Sequence, residues 1–152
     1  MLQSGEITPA DGRLVGALRR RIAAAFHRAG VPLMAGSDTA QAFHVWGPAL
    51  HDEIKSLAVA GLSPLDALRT ATIVPRDYFR SLANGGSALG WKADFGTVQA
   101  GARADLILLN ADPMLALSAL ERPQLVIAGG RVHDRAALDA MLDKASADAK
   151  AN

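Results

Sequence analysis

Asp38 closes the apolar run Val31-Pro32-Leu33-Met34-Ala35 and stands in the turn-forming sequence Gly36-Ser37-Asp38-Thr39. A carboxylate fixed at the end of a buried strand can ligate a metal or exchange a proton with bound water, because the strand holds the side chain still. The same residue in a Gly-Ser-Asp-Thr turn can instead cap the following segment or close an Asx-turn. A catalytic zinc site takes about three protein ligands around an open position. Asp38, His44 and His51 are the nearby candidates, and their spacing matches no metal-binding pattern. Gly36 reads as the residue that lets the backbone turn behind Asp38. Met34, Phe43, His44 and Trp46 could line a substrate pocket, although Met and aromatic residues beside a helix commonly serve as core. Trp91 and Phe95 carry the same two readings.

The elements that must position these groups can be read along the chain. Thr8 as cap, Pro9 at the first helical position and Asp11 in the first turn open a helix over residues 9–29. Val15, Leu18, Ile22, Ala25, Phe26 and Ala29 recur at helical spacing, which predicts a core-packed face, and Gly30 is the stop. Arg19, Arg20 and Arg21 belong to a solvated helix face, as does His27. "VPLMA" reads as a short buried strand with Pro32 near its start. After a loop holding the Gly47-Pro48 breaker, Leu50, Ile54, Leu57 and Ala58 predict a second helix ending at Gly61. Ser63, Pro64 and Asp66 give clear start signals for a third, with Leu65, Leu68 and Thr72 on its buried side. "VPRDYFRSLANGG" predicts a short helix or turn followed by a glycine-rich loop. Beyond residue 95 the pattern becomes extended, with a turn at Ala100-Gly101 and a strand over residues 104–109. Gly129-Gly130 joins two further strands as a hairpin, with His133 on the surface after the turn. A last helix over residues 136–144 gives way to a fraying tail.

Composition bounds the partners. The 152 residues are 50% hydrophobic, enough for one compact core. Sixteen Lys and Arg against fifteen Asp and Glu leave a net charge of +1, which supplies no electrostatic drive toward nucleic acid or an anionic membrane. The absence of cysteine excludes disulfides, thiolate metal sites and a cysteine nucleophile. No apolar run approaches the ~18 residues of a membrane span, and the first residues lack the charged-then-apolar order of a signal peptide.

The ordered succession "AGSDTA", "LHDEIKSLAVAGLSPLDALRTATIVP", "GTVQAGARADLILLNADP" and "LVIAGGRV" resembles the carboxyl-terminal part of the metal-dependent amidohydrolase superfamily, among its imidazolonepropionase-like and prolidase-like members. The resemblance runs from about residue 9 to 142. It implies an α/β fold: part of a distorted TIM barrel, namely the last strand and closing helices over residues 1–94, then strands of a small β-sandwich over 95–135, then a terminal helix and tail over 136–152. It also implies that Asp38 ligates a catalytic divalent metal, zinc by expectation, and acts as acid/base group in hydrolysing carbon–nitrogen bonds other than ordinary peptide bonds. Gly36, Ser37 and His51 would support that site without ligating. Tyr78 and Phe79 depart from the small residues common after the family's "ATxxP", and "SLANGGSALGWKAD" is longer than usual.

The family's metal centre also needs a His-x-His pair, a bridging Lys or acid, and two further histidines. The four histidines here, His27, His44, His51 and His133, form no such pair. A (β/α)₈ barrel takes roughly 250 residues, and one of its eight strands is legible. Two expectations follow. In one, the chain works on a small-molecule substrate only together with the missing barrel portion. In the other, it is a non-catalytic interaction module that exposes apolar helix stripes and forms homo-oligomers or packs on a partner.

Overall fold

The computed structural model describes residues 9–39, 47–84 and 92–151. Thr8, Phe43, His44, Trp46, Trp91 and the glycine-rich stretch after Asn84 lie outside them. The chain is mixed α/β: helices α1 (Pro9–Arg28), α2 (Pro48–Val59), α3 (Pro64–Arg69) and α4 (Ile73–Asn84) precede strands β1 (Leu106–Leu108), β2 (Leu125–Ala128) and β3 (Arg131–Asp134), and helix α5 (Arg135–Ala151) follows. A 3₁₀ turn, Leu117–Glu121, lies between β1 and β2.

Helices α1 and α2 end the same way. The Gly30 and Gly61 amides bond back to the His27 and Ala58 carbonyls, and the Val31 and Leu62 amides to those of Phe26 and Leu57. This is the paired closure that a left-handed glycine permits, and it folds Leu62 back onto Leu57, both of them buried. Pro48 does not break the second helix; it is its first residue, where a missing N–H costs nothing. In α3 the Ser63 hydroxyl accepts from the Asp66 amide at 3.1 Å and donates to the Asp66 carboxylate at 2.6 Å. Of the expected Leu65–Leu68–Thr72 side only Leu68 packs against the core; Leu65 and Thr72 are exposed, whereas Ala67 and Thr70 are enclosed. Helix α4 runs three turns, longer than the sequence suggested, because Pro75 falls in its first turn and leaves the rest uninterrupted.

The core is small. Ile54, Leu57, Leu62, Ala67 and Leu120 form it, with Ala23, Leu33, Ala35, Ala58, Leu68, Ala71, Leu109 and Leu117 packed around. Leu120 brings the carboxyl-terminal half onto α2, and the adjacent Lys55–Glu121 ion pair at 2.7 Å ties the same two elements at the surface. Helix α1 is not core-packed along its large apolar stripe. Leu14, Val15, Leu18, Ile22 and Phe26 are 44–70% exposed, and the inward side carries the small residues Gly16 and Ala23 instead.

Residues 31–38 run extended but make no ladder bonds among the described residues, so the expected strand is not one: pairing requires a neighbour. One backbone bond, Ala35 N–H to Thr70 O at 3.0 Å, fixes the segment on the helices. Its side chains still alternate as in a strand. Leu33 and Ala35 pack against the core and Ser37 is half-buried, while Pro32, Met34, Gly36 and Asp38 are exposed.

The true strands form one open antiparallel sheet, ordered β1-β2-β3, with Ile107 opposite Val126 and Ile127 opposite Val132. Gly129 and Gly130 (φ 55° and 80°) make the two-residue hairpin the sequence promised. Asp105 receives the Gly129 amide at 2.7 Å and the Ala104 carbonyl receives that of Gly130 at 2.9 Å, which ties the turn to the start of β1. His133 is half-buried opposite Val126 rather than fully on the surface. Before the sheet, Phe95 packs edge-on against Phe79 at 6.2 Å and under the Arg103 guanidinium at 5.7 Å, contacts that fit the packing reading. The last helix continues to Ala151 instead of fraying after 144, as its Ala- and Lys-rich composition favours.

Candidate functional site

Asp38 ends the extended segment on its exposed face, at the point where the chain leaves the helices. It is the one non-glycine residue at positive φ (48°) among the described residues. Asp and Asn tolerate this left-handed region better than other side chains, which gives the residue type a local conformational reason as well as a chemical one. The tight turn therefore falls on Asp38 itself. Gly36 has no positive φ, and a side chain added there would meet nothing within 4 Å, so its expected role in the turn is not what the backbone uses it for. The flanking hydroxyls of Ser37 and Thr39 hydrogen-bond each other across the turn.

His51 lies half-buried in the first turn of α2. It lines a surface cleft with Pro48, Asp52, Lys55, Glu121 and Leu142, where Lys55 bridges Asp52 and Glu121 at 2.7 Å each. The Lys55 ammonium holds the Asp52 carboxyl below the ordinary range, and the two carboxylates hold the ammonium above its own. This cleft is separate from the one that includes Gly36. His44, Phe43 and Trp46 fall outside the described residues. His27 is half-buried near the end of α1, close enough to the Asp66 carboxyl on α3 to act on it electrostatically, and is not a fully solvated residue.

Met34 and Pro32, on the same face as Asp38, line a mostly apolar cavity of about 420 Å³ with Val74, Asp77, Tyr78 and Ser81 of α4. Met34 is thus a lining residue, whereas Asp38 is at the other end of the segment. Among the described residues no group of three or more His, Cys, Asp or Glu is placed to hold a metal ion.

Two features escaped sequence reading. Glu53 is half-buried on α2 facing α1, and burial raises its carboxyl above the ordinary range. Its signal was its spacing with Ser56, Leu57 and Ala60, one helical face that includes a core leucine. The other is Gly96 (φ 81°), pressed so closely on Thr72 that an added Cβ would lie 2.5 Å from the Thr72 carbonyl oxygen.

A carboxylate at the end of segment 31–38, helices before and after it and a small antiparallel sheet further on make up a mixed α/β chain. The model of the amidohydrolase family matches residues 8–133, and the chain belongs to that family. No curated protein matches it. Among solved structures it is similar to a protein of Bifidobacterium longum with a provisional prolidase designation, at 37% identity and a TM-score of 0.59, covering 82% of this chain and 30% of that one. A second solved amidohydrolase is 27% identical with a TM-score of 0.54, covering 76% of this chain and 25% of that one. The chain therefore spans less than a third of the length of either structure.

Proposed function

We propose that this chain forms the carboxyl-terminal part of a metal-dependent amidohydrolase that cleaves carbon–nitrogen bonds other than ordinary peptide bonds in a small molecule. Paired with the rest of the barrel, residues 31–38 would become the last strand of a distorted TIM barrel, with α1 to α4 among its closing helices and β1 to β3 part of the accompanying sandwich. The observation that carries this reading is the alternation of burial along 32–38: Leu33 and Ala35 pack against the core, whereas Pro32, Met34, Gly36 and Asp38 are the exposed alternate positions, the set that would face the interior of a barrel. Asp38 then stands at the strand's carboxyl end, where barrel enzymes keep their catalytic groups.

Asp38 supplies one carboxylate donor to the metal, expected to be zinc, and takes and returns a proton during hydrolysis. The described residues do not make up a centre by themselves, so the other donors come from the remaining barrel, in the same polypeptide or in a partner chain. In this reading Gly36, Ser37 and His51 would support the site without ligating the metal, and Phe43, His44 and Trp46 would line the substrate pocket.

A chimera tests this. The matched carboxyl-terminal part of the Bifidobacterium longum protein is replaced by this chain, and hydrolysis and bound zinc are measured. Asp38→Asn is expected to keep the melting temperature, because Asn also accepts positive φ, and to lower kcat by on the order of 10²–10⁴-fold, the usual weight of a positioned acid/base. Full activity and full zinc content in that variant would remove Asp38 from the centre.

The bare stripe of α1 favours a second reading, an interaction module that self-associates through Leu14, Leu18, Ile22 and Phe26. Sedimentation that shows a concentration-independent monomer of the 152-residue chain would exclude it.

A further inference from the structure

The cleft between α1 and α2 holds charges of both signs that do not neutralise each other. On α1, the small residues Gly16 and Ala23 flank Arg19 and Arg20 along the lining; on α2, Glu53, Ser56, Leu57 and Ala60 share the facing side, and Gly36 also lines the cleft. The cleft has a volume of about 400 Å³, within the ~300–1,000 Å³ of small-molecule sites. Among the described residues, neither Arg19 nor Arg20 reaches ion-pair distance of Glu53, and both guanidinium groups are exposed. Burial acts on the Glu53 carboxyl with no cation to offset it. An anion alone would be repelled by Glu53, and a cation alone by the two guanidinium groups. A small ligand bearing both charges satisfies the cleft.

We propose that this cleft binds a free α-amino acid with an apolar side chain. Its carboxylate lies on the Arg19 and Arg20 guanidinium groups, its ammonium on Glu53 with the Ser56 hydroxyl nearby, and its side chain on Ala23, Leu57 and Ala60. Planar guanidinium groups favour carboxylates through paired charge-assisted bonds. Because Gly36 precedes Ser37 and Asp38, an occupant touches the backbone that leads into the Asp38 turn. The site is thus a place where an amino acid can act on that turn from the helix side, whatever reaction the turn serves.

The test is binding to the full 152-residue chain, followed by calorimetry and by backbone amide shifts, with L-leucine, N-acetyl-L-leucine, L-leucinamide and acetate as probes. L-Leucine is expected to saturate, shifting the amides of Gly36, Arg20 and Ser56. Each derivative, having lost one charge, and acetate should bind at least tenfold more weakly. Glu53→Gln, checked for an unchanged fold by its amide spectrum, should cost L-leucine a similar factor while strengthening N-acetyl-L-leucine, whose carboxylate Glu53 no longer repels. No saturation by L-leucine at ~10 mM, where even weak sites fill, would overturn the proposal. So would equal binding of acetate or of either derivative, or shifts that map elsewhere. The derivative series reads the site without any substitution, so a variant that fails to fold leaves the outcome decided.

Discussion

Replacing Gly96 with alanine should unfold the chain well before any surface substitution would. The added Cβ would sit 2.5 Å from the Thr72 carbonyl oxygen, 3.0 Å from its carbon and 3.3 Å from the Arg76 Cβ. That oxygen is backbone and accepts the Arg76 amide at 3.3 Å in the first turn of α4, so it cannot swing aside as a side chain would. Positive φ costs an L-residue about 1–2 kcal/mol, and forcing a methyl into filled space about 1–3 kcal/mol. The stiffer unfolded chain returns roughly 0.4–1 kcal/mol. The net loss is about 1–4.5 kcal/mol, which at a mid-range urea slope of ~2 kcal/mol per molar lowers the midpoint by roughly 0.5–2.3 M. Gly101→Ala is the control, since Gly101 has a similar φ of 85° with nothing within 4 Å of an added Cβ. It should lose about 1 kcal/mol, the conformational part alone. Urea titrations of both variants, followed by circular dichroism, decide the matter. Equal midpoints for the two variants would refute the close approach as the cause.

Other perturbations give smaller, signed effects. Ser63→Ala removes the α3 cap and should cost about 1 kcal/mol; because the Ser63 hydroxyl is the main cause holding the Asp66 carboxyl below its ordinary range, a carboxyl NMR titration should show that group moving back up. Glu53 titrates above its unfolded value, so its favourable contribution is complete below about pH 4.3 and is lost as pH rises through its folded pKa. Glu53→Gln should therefore stabilise the chain at pH 7, by under ~1 kcal/mol because a half-exposed carboxylate stays screened, and should match the parent at pH 3 in thermal melts. Asp105 has the opposite sign: held low first by the Gly129 amide and then by Arg103, it stabilises above the ordinary Asp range and loses that as pH falls through its folded pKa. Asp105→Asn should thus weaken the chain at pH 7 and converge with it in acid.

What the sequence made legible was local chemistry. Ser63-Pro64-Asp66 specified a helix start because the cap and its partner lie three residues apart, and Gly129-Gly130 specified a hairpin because both positions need the same unusual backbone. What depended on distant neighbours was misread. The period of α1 located an apolar stripe but could not say that nothing among the described residues covers it, nor that Gly16 and Ala23 would face α2 instead. "VPLMA" had the composition of a buried strand, yet a strand is a relation between two segments and the second was not in the text. Asp38 was correctly singled out as the residue at the end of that segment, while the turn was credited to Gly36; only backbone angles reveal that the acid itself takes the strained position. Glu53 was invisible because a carboxylate on a helix reads as solvated until the facing helix is known.

The extended run from Val31 to Asp38 also bears on how long the protein survives in a cell. Among the described residues this run pairs with no strand, although the Val31 and Ala35 amides are bonded to the helices; an edge of that kind is a template onto which another chain can add, and Val31 and Met34 add exposed apolar side chains to it. Such an edge invites capture by chaperones, cleavage by proteases or growth into aggregates. The abundance of soluble chain should then be set less by its folding free energy than by how soon after synthesis a neighbouring strand arrives to cover that edge.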